Sequence, residues 1–159
     1  MDQKALFLKF WEKEAPATKK VLSRITEGSD YRPDPKSRTA REIAWLIVRE
    51  ETVLAEGLEK GVFEWVEVPA PPTVKEVLDT YDRHHDNVTR RLHALNTERW
   101  ERKVPFMYQG QEVMSEPGYD NAWGFLFDMI HHRGQISTYL RPMGSTVPQI
   151  YGPSADEPM

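Results

Sequence analysis

The residues best suited to chemistry lie in the last third of the chain, in the run FLFDMIHHRGQISTYLR. Asp128 and His132 are four residues apart in this run. On a helix, this spacing puts the two side chains one turn apart on the same face, as two ligands of one metal ion must be. His131 can also reach Asp128, but its side chain points about 100° away from that of His132. The spacing therefore predicts a metal site that uses Asp128 and His132, with His131 as an alternative ligand.

Further polar residues follow in the same segment. Gln135 and Tyr139 share the helical face of His132 and are predicted to line a pocket beside it. Arg133 and Arg141 are predicted to bind carboxylates or the C-terminal tail. Gly134 weakens a helix unless another backbone or a ligand approaches it closely, so we expect a close approach there.

Composition excludes several other kinds of site. The 159 residues include no cysteine, so the chain has no disulfide, no thiolate ligand and no thiolate nucleophile. The net charge is -4 with both signs interspersed, which gives no electrostatic footprint for nucleic acid. The N-terminus lacks the uncharged run of a signal peptide, and no stretch approaches the roughly 20 apolar residues of a membrane span. We therefore expect a soluble cytoplasmic protein that binds neither nucleic acid nor membranes.

Four segments have the three- and four-residue apolar spacing of amphipathic helices. They run from about Asp2 to Ile25, from Thr39 to Leu58, from Thr73 to about Leu95 and from about Tyr119 to Leu140. Helices of this size are roughly 30 Å long, which suits an up-down bundle. The pattern predicts a single all-α domain over residues 1–159, an up-down four-helix bundle in which the last helix carries the candidate metal ligands.

Proline and glycine mark the parts between these helices. Pro16 predicts a kink or a break in the first helix, because proline removes one backbone hydrogen bond and clashes with the preceding turn. Residues 62–72 are predicted to be an extended loop, and residues 103–114 a loop or a small hairpin that turns at Gly110. Residues 142–159 are too rich in proline and glycine for regular structure, so we expect an extended tail.

Three segments of the chain resemble the DinB/YfiT-like superfamily. They are residues 29–51, residues 128–141 with the run HHRGQ followed by YLR, and residues 147–158 with the run IYGPSADE. The resemblance implies a four-helix bundle, usually dimeric, with a divalent metal held by one histidine of the second helix and an HxxxH pair of the fourth. It also implies a link to thiol-dependent transferases or isomerases that act with bacillithiol, mycothiol or glutathione.

This chain departs from the superfamily pattern at two of the three ligand positions. The second histidine of the HxxxH pair corresponds to His132, but the first corresponds to Asp128, which can still ligate through oxygen. The histidine of the second helix corresponds to Leu46, which lines the expected pocket but cannot ligate. Glu50 lies one turn beyond Leu46 on the same face and is the first candidate for the third ligand, and His85 is another. Such a set suits Zn, Ni, Mn or Fe, and a site without metal is the remaining alternative.

These observations lead to one main functional hypothesis and two alternatives. The main hypothesis is a metal-dependent enzyme, of the thiol S-transferase or hydrolase type, with a degenerate metal site, acting as a homodimer on a small molecule or a low-molecular-weight thiol. The first alternative is a metal-free bundle that binds a small ligand. The second is an oligomeric stress-response protein without catalytic activity, in which Trp65, Phe106 and Tyr108 form a dimer contact or anchor their loops.

Overall fold

The structure, a computed structural model, describes residues 2–159 and combines helices with a small sheet. The helices are α1 (Gln3–Leu22), α2 (Ala40–Lys60), α3 (Val74–Ala94), the short α4 (Thr97–Glu101) and α5 (Gly118–Tyr139). The strands are β1 (Phe63–Trp65), β2 (Lys103–Tyr108) and β3 (Gln111–Pro117). The prediction of an all-α four-helix bundle was therefore wrong, although the four long helices are present close to the predicted positions.

The sheet has the strand order β1-β2-β3 and mixes two kinds of pairing. Strands β2 and β3 form an antiparallel hairpin, which was one of the two alternatives predicted for this segment. Its turn is formed by Gln109 and Gly110, both with positive φ, as tight hairpin turns require. Strand β1 lies parallel to β2, with Phe63 opposite Phe106 and Trp65 opposite Tyr108. The segment predicted to be an extended loop thus supplies the third strand.

Local sequence signals explain where the long helices begin and end. Thr39 caps α2 and Thr73 caps α3, and in each case a glutamate three residues later completes a capping box. Helix α2 ends at Gly61, whose φ of 87° lies in the left-handed region that favours glycine. Helix α1 continues through Pro16, so the chain does not break there.

The core lies between α2 and its neighbours. Helix α2 packs against α3 on one side and α5 on another, while α1 also packs on α5. The fully buried side chains of α2 include Ile47, Leu54 and Leu58, which recur at the spacing of one helical face. Strand β1 follows α2 directly, and Phe63 packs against Gly57 of that helix. This arrangement fixes the sheet beside the face of α2 and α5 on which the candidate ligands lie.

No helix within residues 2–159 combines the length and the apolar character that crossing a membrane requires.

The C-terminal tail is irregular, as predicted, and folds back onto the helices. Arg24, which follows α1, pairs with Glu157, and Arg141 pairs with Asp156 at 3.0 Å. The side chain of Asp156 also accepts a hydrogen bond from the backbone N–H of Val147. The tail is therefore held by charged and polar contacts.

Candidate functional site

Three potential ligands converge between α2 and α5. His132 Nε2 lies 3.2 Å from Glu50 Oε1 and 3.6 Å from Asp128 Oδ2. One ligand atom from each residue lies within 4.8 Å of the other two. Asp128 and His132 meet because they are one turn apart on α5, and Glu50 meets them because α2 packs against that face. We call these three residues the triad.

The chemistry of the triad fits a divalent cation. Glu50 is only 3% exposed, and its Oε2 has no hydrogen-bond partner among residues 2–159. A buried carboxylate oxygen without a partner is costly, and a bound cation would satisfy it. Two carboxylates and one imidazole form a ligand set that zinc, manganese, iron or nickel accepts.

Gln135 orients the imidazole of the triad. His132 Nδ1 donates a hydrogen bond to Gln135 Oε1 at 2.9 Å. In the neutral imidazole, this bond places the proton on Nδ1 and leaves the lone pair of Nε2 directed at Glu50 and Asp128. Histidine ligands of metal ions are commonly held by a second partner in this way.

Burial and charge tune the acidity of the two buried triad residues. Burial raises the pKa of Glu50 to about 7, because it outweighs the hydrogen bond and the charge of His132. Burial also acts to lower the pKa of His132, but the hydrogen bonds with Glu50 and Gln135 and the charges of Glu50 and Asp128 outweigh it and raise that pKa. Protons and a cation would therefore compete for the same atoms near neutral pH.

The triad lies in the wall of a cavity of about 550 Å³ between the sheet, α2 and α5. This volume is within the range of small-molecule sites. Three aromatic rings line the cavity, two from the sheet and one from α5: Trp65, Phe106 and Phe125. The remaining lining residues are Arg38, Leu46, Glu67, Met114, Glu116, Asp120, Asn121 and Gly124, in addition to the triad. The candidate ligands thus face a space that a small organic molecule can occupy.

Comparison with known proteins decides the family. The sequence profile of the DinB family matches residues 1–159. The chain belongs to the DinB family. A protein described as uncharacterized protein YrdA, from Bacillus subtilis (strain 168), is 30% identical over 158 residues, which is 95% of this chain and 89% of that protein. The family resemblance inferred from the sequence is confirmed.

Two solved DinB-like structures share the fold. A DinB-like protein from Bacillus cereus ATCC 10987 aligns with a TM-score of 0.72 and 24% identity, over 91% of this chain and 95% of its own. The DinB-like protein YjoA from Bacillus subtilis aligns with a TM-score of 0.70 and 18% identity, over 91% and 97% of the two chains. The combination of four long helices with a small sheet in this chain is therefore a DinB-like fold, and it replaces the simple bundle expected from the sequence.

Of the three residues predicted for the pocket of this DinB-family chain, one lines the cavity and two do not. Leu46 lines the cavity one turn before Glu50, as predicted. Gln135 contacts His132 but does not line the cavity. Tyr139 lies outside the cavity wall, with its ring edge-on to that of Tyr31 at 5.5 Å.

Neither alternative histidine joins the triad. His85 lies on α3, where its Nδ1 is 2.8 Å from Glu51 Oε1 and its ring stacks between Trp11 and Tyr81. His131 is exposed, and its ring lies beside that of His132 with 5.5 Å between centroids. His85 is therefore held by Glu51 on another side of α2, and His131 lies in solvent.

Several features of the site had no strong signal in the sequence. Trp65 and Phe106 were considered exposed contacts or loop anchors, but both are partly buried and line the cavity. Both residues belong to the mixed sheet. The sequence indicated β1 only through a brief alternation of apolar and polar residues around Phe63 and Trp65. The close approach expected at Gly134 is absent, because a Cβ there would meet nothing within 4 Å in residues 2–159.

Proposed function

We propose that this DinB-family chain is a metal-dependent enzyme in which Glu50, Asp128 and His132 hold a divalent cation at the wall of the 550 Å³ cavity. The observation that carries the proposal is the buried Oε2 of Glu50, which lacks a partner and lies beside two further ligand groups. Hydrolysis and thiol transfer are the two reaction types that we retain.

Each residue of the site has a role that follows from its position. Glu50, Asp128 and His132 would hold the divalent cation, which would supply Lewis-acid chemistry at the cavity wall. Glu50 holds this position from the buried side, and Gln135 keeps the imidazole of His132 turned toward it. Asp128 is exposed and lies at the solvent side. The rings of Trp65 and Phe125 provide an apolar surface that orients a substrate and excludes water.

The neighbouring histidines of α5 offer a matched test of the metal site. Calorimetric titration of untagged protein with Zn²⁺, Mn²⁺, Ni²⁺ and Fe²⁺ should give a one-site isotherm for at least one of these ions. His132→Ala should abolish that isotherm, while His131→Ala should leave it unchanged, because only His132 belongs to the triad. The proposal fails if none of the four ions binds, or if the two variants behave alike.

A metal-free binding module remains the second candidate, and one observation favours it. Leu46 presents an apolar side chain to the cavity where an additional ligand could stand, and Glu50 already has His132 as a partner for one oxygen. In this case the cavity would bind small organic molecules equally well with and without a chelator, and the titrations above would show no metal binding.

We also propose that the chain forms a homodimer. Exposed apolar side chains gather on the sheet and in the segment that follows β1, and Val66, Val113 and Tyr108 are among them. Such a patch is often an interaction site. Light scattering should give twice the mass of 18.5 kDa, and Val113→Lys should shift the protein toward the monomer.

A further inference from the structure

The cavity carries more acidic than basic side chains. Outside the triad, its lining contains Glu67, Glu116 and Asp120 against the single guanidinium of Arg38. None of these three carboxylates takes part in an ion pair within residues 2–159. A bound divalent cation would offset the charges of the triad, but it would leave this excess in place. The cavity is therefore negative with and without a metal.

A helix dipole explains only one of these three acidic side chains. Asp120 lies in the first turn of α5, where the dipole stabilises a negative charge. No helix begins at Glu67, which follows β1 in a loop, or at Glu116, which lies near the end of β3. Their carboxylates lie on the rim of the cavity and remain accessible to a ligand.

Aromatic rings line the same cavity as these carboxylates. Trp65 Nε1 donates a hydrogen bond to Glu67 Oε1 at 3.2 Å, which keeps the indole next to a negative charge. Phe106 and Phe125 form the adjoining wall, with 6.0 Å between ring centroids. Aromatic faces combined with carboxylates are the arrangement by which proteins recognise alkylated ammonium groups.

Glu50 indicates, separately from the carboxylates on the rim, that the cavity holds a ligand. It is a cavity-lining carboxylate, almost fully buried, and its Oε2 lacks a partner among residues 2–159. The volume of about 550 Å³ accommodates a molecule much larger than the ion that the triad would bind.

We propose that the substrate of this cavity is an organic cation, an amine or a quaternary ammonium compound with an apolar group of about the size of a benzene ring. Its ammonium group lies against Trp65, Glu67 and Glu116, and its apolar part packs on Phe106 and Phe125. The assignment of this molecule as a substrate rests on the proposed function, while its binding does not. The negative cavity repels acidic thiols such as glutathione, so hydrolysis is favoured over thiol transfer.

Benzyltrimethylammonium is a suitable probe, because its nitrogen has no lone pair with which to ligate a metal. Its binding is compared with that of neutral benzyl alcohol and anionic phenylacetate by calorimetry, with the full chain both after chelation and after loading with Mn²⁺. The cation should bind at least about tenfold more tightly than either comparison compound in both states. Equal or tighter binding of phenylacetate, or no binding of the cation, overturns the proposal.

Variants of the hairpin and of residues 65–67 distinguish binding in the cavity from a general effect of surface charge. Glu67→Gln with Glu116→Gln should reduce the affinity for the cation about tenfold and leave the affinity for benzyl alcohol unchanged. Glu112→Gln, on the same hairpin but outside the cavity, should change neither affinity. Trp65→Leu should weaken binding of the cation more than binding of the alcohol. A loss with Glu112→Gln equal to that of the double variant overturns the proposal, and thermal unfolding checks that each variant is folded.

The same measurements distinguish this inference from the proposed function. A protein that binds Mn²⁺ but shows no preference for the cation contradicts the inference and leaves the metal site standing. A protein that prefers the cation but binds no metal contradicts the proposed function and leaves the inference standing.

Discussion

Glu50 and Glu51 are neighbours on α2 and form two similar pairs on different sides of the helix. Glu50 pairs with His132, and Glu51 pairs with His85. Both glutamates are buried, and each has an Oε2 without a partner among residues 2–159. The second pair adjoins a space of only about 10 Å³, enough for roughly one water, and has no third ligand within the described residues 2–159. Only the pair of Glu50 therefore has both the third ligand and the room that chemistry requires.

The raised pKa values of the triad predict that metal binding releases protons. The pKa of Glu50 is raised to about 7, so this carboxyl is partly protonated near neutral pH, and the pKa of His132 is raised as well. The cation needs both groups deprotonated, so its affinity should increase as the pH rises through about 7. Calorimetry in buffers of different ionisation enthalpy should show more proton release at pH 6.5 than at pH 8.5. An affinity that is the same at both pH values would contradict this assignment of ligands.

Leu46→His should strengthen metal binding. Leu46 lines the same cavity wall as Glu50 and lies one turn before it, so a histidine there can supply an additional ligand. We expect at least about a tenfold increase in affinity for Zn²⁺ or Ni²⁺, which corresponds to about 1.4 kcal/mol. Leu46→Gln is the control, because it adds a polar group with much weaker affinity for these ions. If neither variant alters metal affinity, the metal does not bind at this wall.

At the scale of secondary structure, elements specified by neighbouring residues were predicted correctly, and elements that depend on residues far apart in the sequence were not. The four long helices were found because their apolar spacing and caps are local, as with Thr73 and Glu76 at the start of α3. Asp128 and His132 were found for the same reason. The hairpin of β2 and β3 was one of two predicted alternatives, but β1 was missed because it has three residues and pairs with a strand about 40 residues further along the chain. The walls of the cavity depend on this nonlocal pairing, so its aromatic lining was missed as well.

Two helical glycines should respond to alanine in opposite directions. A Cβ at Gly57 would lie 2.0 Å from the ring of Phe63, whereas a Cβ at Gly134 would meet nothing within 4 Å. Gly57→Ala should therefore destabilise the protein by about 1–3 kcal/mol through overpacking. Gly134→Ala should stabilise it by about 0.5–1 kcal/mol, because alanine is the better helix former. Urea unfolding measures both changes, and a stabilising Gly57→Ala would show that β1 does not pack on α2 as described.

At the scale of the whole molecule, a buried arginine joins three separate parts of the chain. Arg133 of α5 is 2% exposed and donates hydrogen bonds to Glu14 Oε2 at 2.9 Å and to Thr18 Oγ1 at 3.2 Å, both on α1. Tyr151 of the tail donates to the same Glu14 oxygen at 2.6 Å and also contacts Arg133. The predicted role of Arg133, binding a carboxylate or the tail, is confirmed for both partners. This cluster lets the tail stabilise the packing of α1 on α5.

Two carboxylates near the end of the chain hold the tail from the other side. The backbone N–H of Val147, and then Arg141, lower the pKa of Asp156. The backbone N–H of Gln149, and then Arg24, lower the pKa of Glu157. A lowered pKa in the folded protein means that the ionised form is stabilised by folding. These contacts therefore stabilise the protein at neutral pH and are lost as the pH falls through the folded-state pKa values.

The double variant Asp156→Asn with Glu157→Gln tests this dependence on pH. At pH 7 its melting temperature should be lower than that of the unmodified protein, because the ionised groups and their partners are lost. The difference should shrink as the pH falls below the ordinary pKa values of 3.8 and 4.5, and disappear once both groups are protonated in the folded protein. Asp30→Asn with Glu112→Gln makes the same change in net charge at two exposed sites and should have little effect at any pH. A difference that does not shrink as the pH falls below 3.8, or an equal loss in this second pair, would mean that ionisation of the two tail carboxylates does not hold the tail in place.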